Sequence, residues 1–300
     1  MPVHLPPLSR RRFICGIGSS LLLPATVPAA DAGTDESLLA ILNDAHIGQR
    51  QPADSQNPSH LRETVKWLLA LEKRPALVVI NGDLALLDGQ PGDYAAFMEL
   101  IRPLREAGLP VHLTLGNHDD REVFFETVRR ADPAAPLDAS RHVGVVETKF
   151  ADLFLLDSLK TVNKAPGELG AQQIAWLAKE LDARATKPVI IVAHHNPRLG
   201  GNPLHFPGGL EDSDALWQTL VPRRRVKAYV HGHIHHWSLA VHQDIHIINT
   251  PAVSYVANPK LSTTGWTMAR LGERGIELTL HTHAPDHEWN RLVTKLEWRS

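Results

Sequence analysis

Val111-His112-Leu113-Thr114-Leu115-Gly116-Asn117-His118-Asp119 is a mainly apolar run that stops at a glycine and then delivers an amide, an imidazole and a carboxylate. The run reads as a strand over Val111–Leu115 with a turn after it. Four other segments share this form. Leu38–Leu42 precedes Asp44-Ala45-His46, and Leu77–Ile80 precedes Gly82-Asp83. Val189–Val192 precedes His194-His195-Asn196-Pro197, and Val226–Val230 precedes Gly232-His233-Ile234-His235. In α/β folds the carboxyl ends of parallel strands are where ligands bind. The residue types match too, because aspartate, asparagine and histidine supply the mixed oxygen and nitrogen donors that borderline divalent metals prefer.

Amphipathic stretches separate these strands. Apolar positions at Leu61, Val65, Leu68 and Leu69 predict a helix over His60–Leu71, and further helices are expected over Tyr94–Arg105, Glu122–Arg130 and Gly170–Leu181. Val143–Val146 and Leu153–Leu156 read as neighbouring strands. After His235 the texture changes to a meander: Trp237–Val241, Ile245–Ile248, Met268–Leu271 and Ile276–Leu280, with a turn at Gly272–Gly275. Strand–helix alternation followed by a strand meander predicts an α/β protein, a four-layer α/β/β/α sandwich of two mixed sheets flanked by helices. A C-terminal tail is expected from about residue 282, with one short helix or strand around Leu292–Trp298. The proline- and glycine-rich stretch Asn196–Ser213 has no period and leaves directly from one of the clusters, so it is expected to form a rim over a site.

Two other patterns look similar but sit elsewhere. Asp244-Ile245-His246 falls within the meander and reads as a turn aspartate followed by an exposed edge histidine. His281-Thr282-His283 reads as a solvated strand end rather than a metal pair.

The chain of 300 residues is 43% hydrophobic, enough for a large core in one or two domains. Its formal charge is −2. This lacks the basic field that a nucleic-acid polymer would require. Ser9-Arg10-Arg11-Arg12-Phe13-Ile14 resembles a twin-arginine export motif. The apolar stretch Ile14–Val27 and a small-residue site at Ala30-Asp31-Ala32 follow it, so residues 1–32 are expected to be a signal peptide and residues 33–300 the working domain. Glycines and prolines break the apolar stretch, which argues against a permanent membrane span. This places the mature protein in a bacterial periplasm or outside the cell. The single cysteine, Cys15, lies within that segment, so the mature chain offers no disulfide and no thiolate ligand.

Taken singly, Asp44 and Asp83 can be helix caps, Gly116-Asn117 a turn, and the histidines core hydrogen-bonders. Taken together in order, D-x-H, GD, GNHD, HH and GHxH resemble the calcineurin-like metallophosphoesterase family over residues 38 to 251. Within it the sequence is similar to the cyclic-nucleotide and glycerol phosphodiester group. The resemblance implies two divalent or mixed-valence metal ions, with Fe, Mn or Zn foremost. Asp44, His46, Asp83 and His235 would hold the first ion, and Asp83, Asn117, His194 and His233 the second. Asp83 would bridge them.

The implied activity is phosphoester hydrolysis by a metal-bridging hydroxide that attacks phosphorus in line. Asn117 would help hold the nonbridging oxygens, and His118 would protonate the departing alkoxide. Asp88, Asp119 and Asp120 are the candidates to orient the His118 ring. His195 and Arg198 are candidate substrate contacts. The partner is thus a small phosphoester, with phosphodiesters favoured. The alternatives are a phosphomonoesterase or nucleotidase on the same site, a metal-dependent amidase or lactonase, and an exported metal-binding protein without turnover. Asp83 is followed by Leu84-Ala85, not the Arg-Gly of the serine/threonine protein phosphatases. Tyr94, Tyr229 and Tyr255 are all misplaced for the tyrosine ligand of purple acid phosphatases.

Overall fold

A computed structural model describes residues 3–5, 33–131, 143–184, 186–199 and 208–300. Thirteen strands are described: β1 (Val3–Leu5), β2 (Gly33–Asn43), β3 (Lys73–Asn81), β4 (Val111–Thr114), β5 (Val143–Glu147), β6 (Asp152–Leu156), β7 (Val189–Val192), β8 (Val226–His231), β9 (Ser238–His242), β10 (Ile245–Asn249), β11 (Gly265–Gly272), β12 (Gly275–Thr282) and β13 (Val293–Glu297). The helices are α1 (Asn57–Ala70), α2 (Pro91–Glu106), α3 (Arg121–Ala131), α4 (Ala171–Ala183) and α5 (Ser213–Leu220).

The strands form two mixed sheets, in the orders β1-β4-β3-β2-β11-β12-β13 and β5-β6-β7-β8-β10-β9. Strand alternation produces the layers. In β2, Leu39 and Ile41 point into the space between the sheets, where they meet Leu153, Leu155, Ile190, Val192 and Val230. Ala40 and Leu42 point outward and pack with Leu61, Val65, Phe97 and Ile101 of α1 and α2. On the far face, Phe154, Leu156, Ile191 and Tyr229 pack against Leu177, Leu181 and Leu216 of α4 and α5. The four-layer α/β/β/α sandwich is therefore as expected.

Several boundaries differ from the sequence expectation. Helix α1 starts three residues early, because Pro58 sits in its first turn, where a missing N–H is harmless. The segment from 282 is no tail: β13 pairs with β12 in register Gly275↔Glu297 to Thr279↔Val293. Beyond it the Arg299 guanidinium donates to the carbonyls of Leu220, Arg223, Arg224 and Gln243, which ties the end of the chain to the second sheet's side. Strand β10 is not an edge; it lies between β8 and β9, and His246 Nε2 sits 2.7 Å from the Glu297 carbonyl. His281 and His283 pack among aromatic rings instead of facing solvent. His283 stacks on His60 at 4.1 Å, and His281 on Trp266 at 5.4 Å.

The described ends of the Asn196–Ser213 stretch are drawn together, with Leu210 N donating to Asn196 O at 2.8 Å; residues 200–207 lie outside the described set. The twin-arginine motif and the small-residue cleavage site also lie outside it. Val3–Leu5, upstream of that motif, pairs antiparallel with β4, and Leu5 joins the core. No helix of the described residues is long and apolar enough to cross a membrane.

Candidate metal centre

Strands β2, β3 and β4 run parallel in the first sheet, and β7 and β8 run parallel in the second. Each ends at one of the five clusters, so the connections after these strands meet at one end of the sandwich. The backbone there is under strain. Asp44, His46, Asp83, His233 and His235 all have positive φ, between 45° and 67°. Outside glycine the left-handed region costs about 1–2 kcal/mol per residue, and such strain gathers at sites that need it. Five of the nine described non-glycine residues with positive φ belong to this one cluster, which marks a functional purpose. Two glycines allow the connections to close. A Cβ on Gly116 would overlap the Asp83 carboxylate, and one on Gly232 would lie 2.5 Å from Asp44 Oδ2.

The side chains converge. His194 Nε2 lies 3.2 Å from Asp83 Oδ2 and 3.9 Å from Asp44 Oδ1. His46 Nε2 is 3.5 Å from Asp83 Oδ2, and His235 Nε2 is 3.3 Å from Asp44 Oδ1. Donor atoms of Asp44, His46 and His235 lie within 4.8 Å of one another; so do those of Asp44, Asp83 and His194, and those of His194, His195 and His233. Asn117 is 4% exposed, its Oδ1 has no hydrogen bond, and the next residue's N–H donates to Asp83 Oδ1 at 2.8 Å.

These residues fit divalent cations for a chemical reason. Three rings are pinned at Nδ1 by backbone carbonyls: His46 by Leu86 (3.2 Å), His194 by Asn81 (3.1 Å) and His235 by Tyr255 (2.7 Å). A neutral ring held this way aims its Nε2 lone pair inward. The Nε2 atoms of His46 and His235 then stand 3.2 Å apart, two lone pairs when both rings are neutral, a conflict that a shared cation or a proton on one ring relieves. Asp44 Oδ1 and His194 Nε2 are likewise buried without a hydrogen bond of good geometry.

The carboxylates of the cluster also set the protonation of its rings. Burial works against charge at His194, but Asp83 and Asp44 push its imidazole up to about 9. Burial also opposes charge at His235, and Asp44 raises it nonetheless. Burial opposes ionisation of Asp44 and Asp83 too, but the neighbouring imidazoles hold both below the ordinary carboxylate range. Burial brings His46 down to about 4 and His233 to about 3, so both stay neutral, the form that ligates.

His118 is positioned differently from the expectation. Its Nδ1 donates to the Leu87 carbonyl at 2.7 Å, and none of Asp88, Asp119 and Asp120 orients it. Asp119 instead accepts from the N–H groups of Leu84, Ala85 and Gly116 and so ties two of the connections together. Burial and the Asp83 charge push its carboxyl up to about 7. Asp120 caps α3 through Val123 N at 3.0 Å. His195 is fully buried, with Nδ1 2.7 Å from Ser158 Oγ and its ring 4.6 Å from that of His233. The ring thus sits behind His194 and His233, with its Nε2 buried and without a hydrogen bond. Arg198 is half-buried at the start of the 196–213 stretch, where its N–H donates to Ser213 Oγ at 2.8 Å.

Sequence reading missed a buried amide network beneath the cluster. Asn81 Nδ2 donates to Asn43 Oδ1 (2.9 Å) and to Ala193 O (3.1 Å), and Thr114 Oγ1 donates to Asn81 Oδ1 (2.7 Å). Asn43 in turn contacts Thr250 Oγ1. The signal was visible, since polar residues end three otherwise apolar strands. Tyr255 is not a member of the donor groups, but its ring lies 4.4 Å from that of His235 and 5.0 Å from that of His46.

The chain belongs to the calcineurin-like phosphoesterase family, whose profile matches residues 38–237. That makes it a metal-dependent phosphoester hydrolase by class. It is 26% identical over 271 residues to a 3′,5′-cyclic adenosine monophosphate phosphodiesterase of Pseudomonas aeruginosa, covering 89% of each chain. It is 27% identical over 190 residues to a glycerophosphodiester phosphodiesterase of Enterobacter lignolyticus, covering 63% of this chain and 66% of that one. A dimetal phosphatase from Danio rerio shares the fold with a TM-score of 0.64 at 14% identity, over 87% of this chain and 99% of the other.

Proposed function

We propose that the protein is a binuclear metal phosphohydrolase acting on small phosphodiesters. Asp44, His46, Asp83 and His235 would hold one ion and Asp83, Asn117, His194 and His233 the other, with Asp83 common to both sets. The observation that carries this reading is the pair of Nε2 atoms of His46 and His235, 3.2 Å apart with both Nδ1 atoms engaged elsewhere. When bound, two such ions supply Lewis acidity and lower the pKa of water enough for a nucleophile at neutral pH.

The chain's own groups do the rest. Asp44 and Asp83 offset part of the cationic charge and leave a positive site for an anionic ester. Asn117 presents Oδ1 to a cation and its amide N–H to a nonbridging phosphoryl oxygen. His118 keeps its Nδ1 proton on Leu87 O, so the proton for the leaving alkoxide is a second one, carried on Nε2 of the doubly protonated ring, which returns to its neutral form on giving it up. Arg198 at the rim supplies a further charge for substrate. The relatives named for cyclic nucleotides and glycerophosphodiesters support diesters over monoesters.

Elemental analysis of purified protein, with hydrolysis of bis(4-nitrophenyl) phosphate and 4-nitrophenyl phosphate measured side by side, tests the reading. About two metal equivalents and faster diester turnover are expected. A monoester preference refutes the diesterase part, and full metal loading without turnover refutes the enzyme. Export through the twin-arginine motif is part of the proposal. Fractionation of cells expressing the chain and its Arg10→Lys, Arg11→Lys variant tests it, with periplasmic protein expected only from the parent.

A further inference from the structure

The segment after β10 runs past the metal cluster, and three consecutive residues of it are tied down. Val253 N donates to Asn43 O at 2.9 Å, His60 Nδ1 to Ser254 O at 2.9 Å, and His235 Nδ1 to Tyr255 O at 2.7 Å. Further along, Ser262 Oγ donates to His235 O at 2.9 Å. The Tyr255 ring therefore projects from a fixed backbone. It leans on the imidazoles of His235 and His46 and yet remains 45% exposed. The groups behind it are not exposed: Asp44, His46, Asp83 and His194 are at most 1% accessible. Leu87, which holds the His118 ring through its carbonyl, is another exposed apolar side chain of the site's surroundings, at 51%.

A tyrosine that served only to seal the core would be covered. A stationary, half-bare aromatic face beside buried reactive groups is how ligand sites fix the apolar part of a substrate. We propose that Tyr255 is a specificity-determining residue whose ring stacks on an aromatic group of the phosphoester, so that the site selects aryl- or nucleobase-bearing esters over purely aliphatic ones. This rests on the phosphohydrolase reading above and narrows its substrate class.

Phenylphosphonate and methylphosphonate are suitable probes, because their C–P bonds are not hydrolysed. Their dissociation constants are measured on the metal-loaded parent, Tyr255→Phe and Tyr255→Ala, with metal content determined for each. The parent and Tyr255→Phe are expected to prefer phenylphosphonate by about tenfold, in line with an aromatic pair. Tyr255→Ala is expected to lose most of that preference while its metal content and methylphosphonate affinity hold. If Tyr255→Ala does not fold, Tyr255→Gln, which lacks a ring, carries the same comparison.

Equal weakening of both phosphonates shows that Tyr255 merely supports His235 and overturns the proposal. An unchanged preference in the ring-less variant also overturns it. If those results come with normal hydrolysis of phosphoesters, only the role of Tyr255 fails. A parent that hydrolyses no phosphoester and binds neither probe removes the phosphohydrolase reading, and this proposal with it.

Discussion

His46 and His235 face each other Nε2 to Nε2 across 3.2 Å, although 189 residues separate them in sequence. Leu86 O and Tyr255 O hold the opposite ring nitrogens, so the meeting atoms carry lone pairs rather than protons when both rings are neutral. A divalent cation bound by both rings would relieve the conflict. Asp44 and Asp83 beside them supply the anionic share of the same site.

Asp83 is near donor atoms on both sides, His46 Nε2 at 3.5 Å and His194 Nε2 at 3.2 Å. Asp83→Ala is expected to lower metal content from about two equivalents to one or fewer and to abolish turnover. Inductively coupled plasma analysis reads this directly, and full occupancy in the variant rules out the bridging role.

His118 lies outside the proposed ligand set, with its ring held by Leu87 O. Its replacement by alanine should leave both metals in place while kcat falls about 10²- to 10⁴-fold, the usual range for loss of a general acid. The loss should shrink for esters with very acidic leaving groups, which need no proton. A uniform loss across leaving groups would contradict the assignment.

Metal loading should depend on pH, with a definite sign. The His194 imidazole is raised to about 9 by Asp83 and Asp44 against the opposing effect of burial, so below that pH it holds a proton that a metal must displace. Affinity therefore rises as pH increases from 6 towards 9, by up to about tenfold per unit for each proton released. Equilibrium dialysis with Mn²⁺ or Zn²⁺ checks this, and a flat affinity over that window would be incompatible with His194 as a ligand.

Asn81 links the ends of β2, β3 and β4 to Ala193 in the second sheet, just behind His194. Asn81→Leu strands Asn43 Oδ1 and Thr114 Oγ1 without their partner. Each buried group so exposed costs about 1–3 kcal/mol. Denaturant unfolding should show a loss of that size, together with weaker metal retention against a chelator. A variant as stable as the parent would show that water or repacking replaces the amide.

Much of this was legible in the residues. The strand-end position of each motif could be read because apolar runs of four or five residues stop at an asparagine, a glycine or a histidine. Strand–helix alternation followed by a run of strands likewise foretold the layered sandwich. Other features were hidden for physical reasons. The partner of His118 is a backbone carbonyl, and every residue has one, so no residue type announces it. His281 and His283 looked solvated because their aromatic neighbours Trp67, Trp266 and His60 come from distant stretches of chain. The last element was legible near Leu292–Trp298 but its type stayed open, because no side chain of the Val293–Glu297 edge strand is fully buried to fix a period.

Local chemistry thus settled which donors exist and that each follows a strand, since periodicity and turn residues act over a few positions. Which lone pairs meet, which ring is sealed and which is left bare depended on how two sheets bring five separate connections to one end. His195 shows the difference. Its neighbours in the chain allowed either a packed or a substrate-facing ring, and the bond to Ser158, contributed by a different strand end, turned it inward.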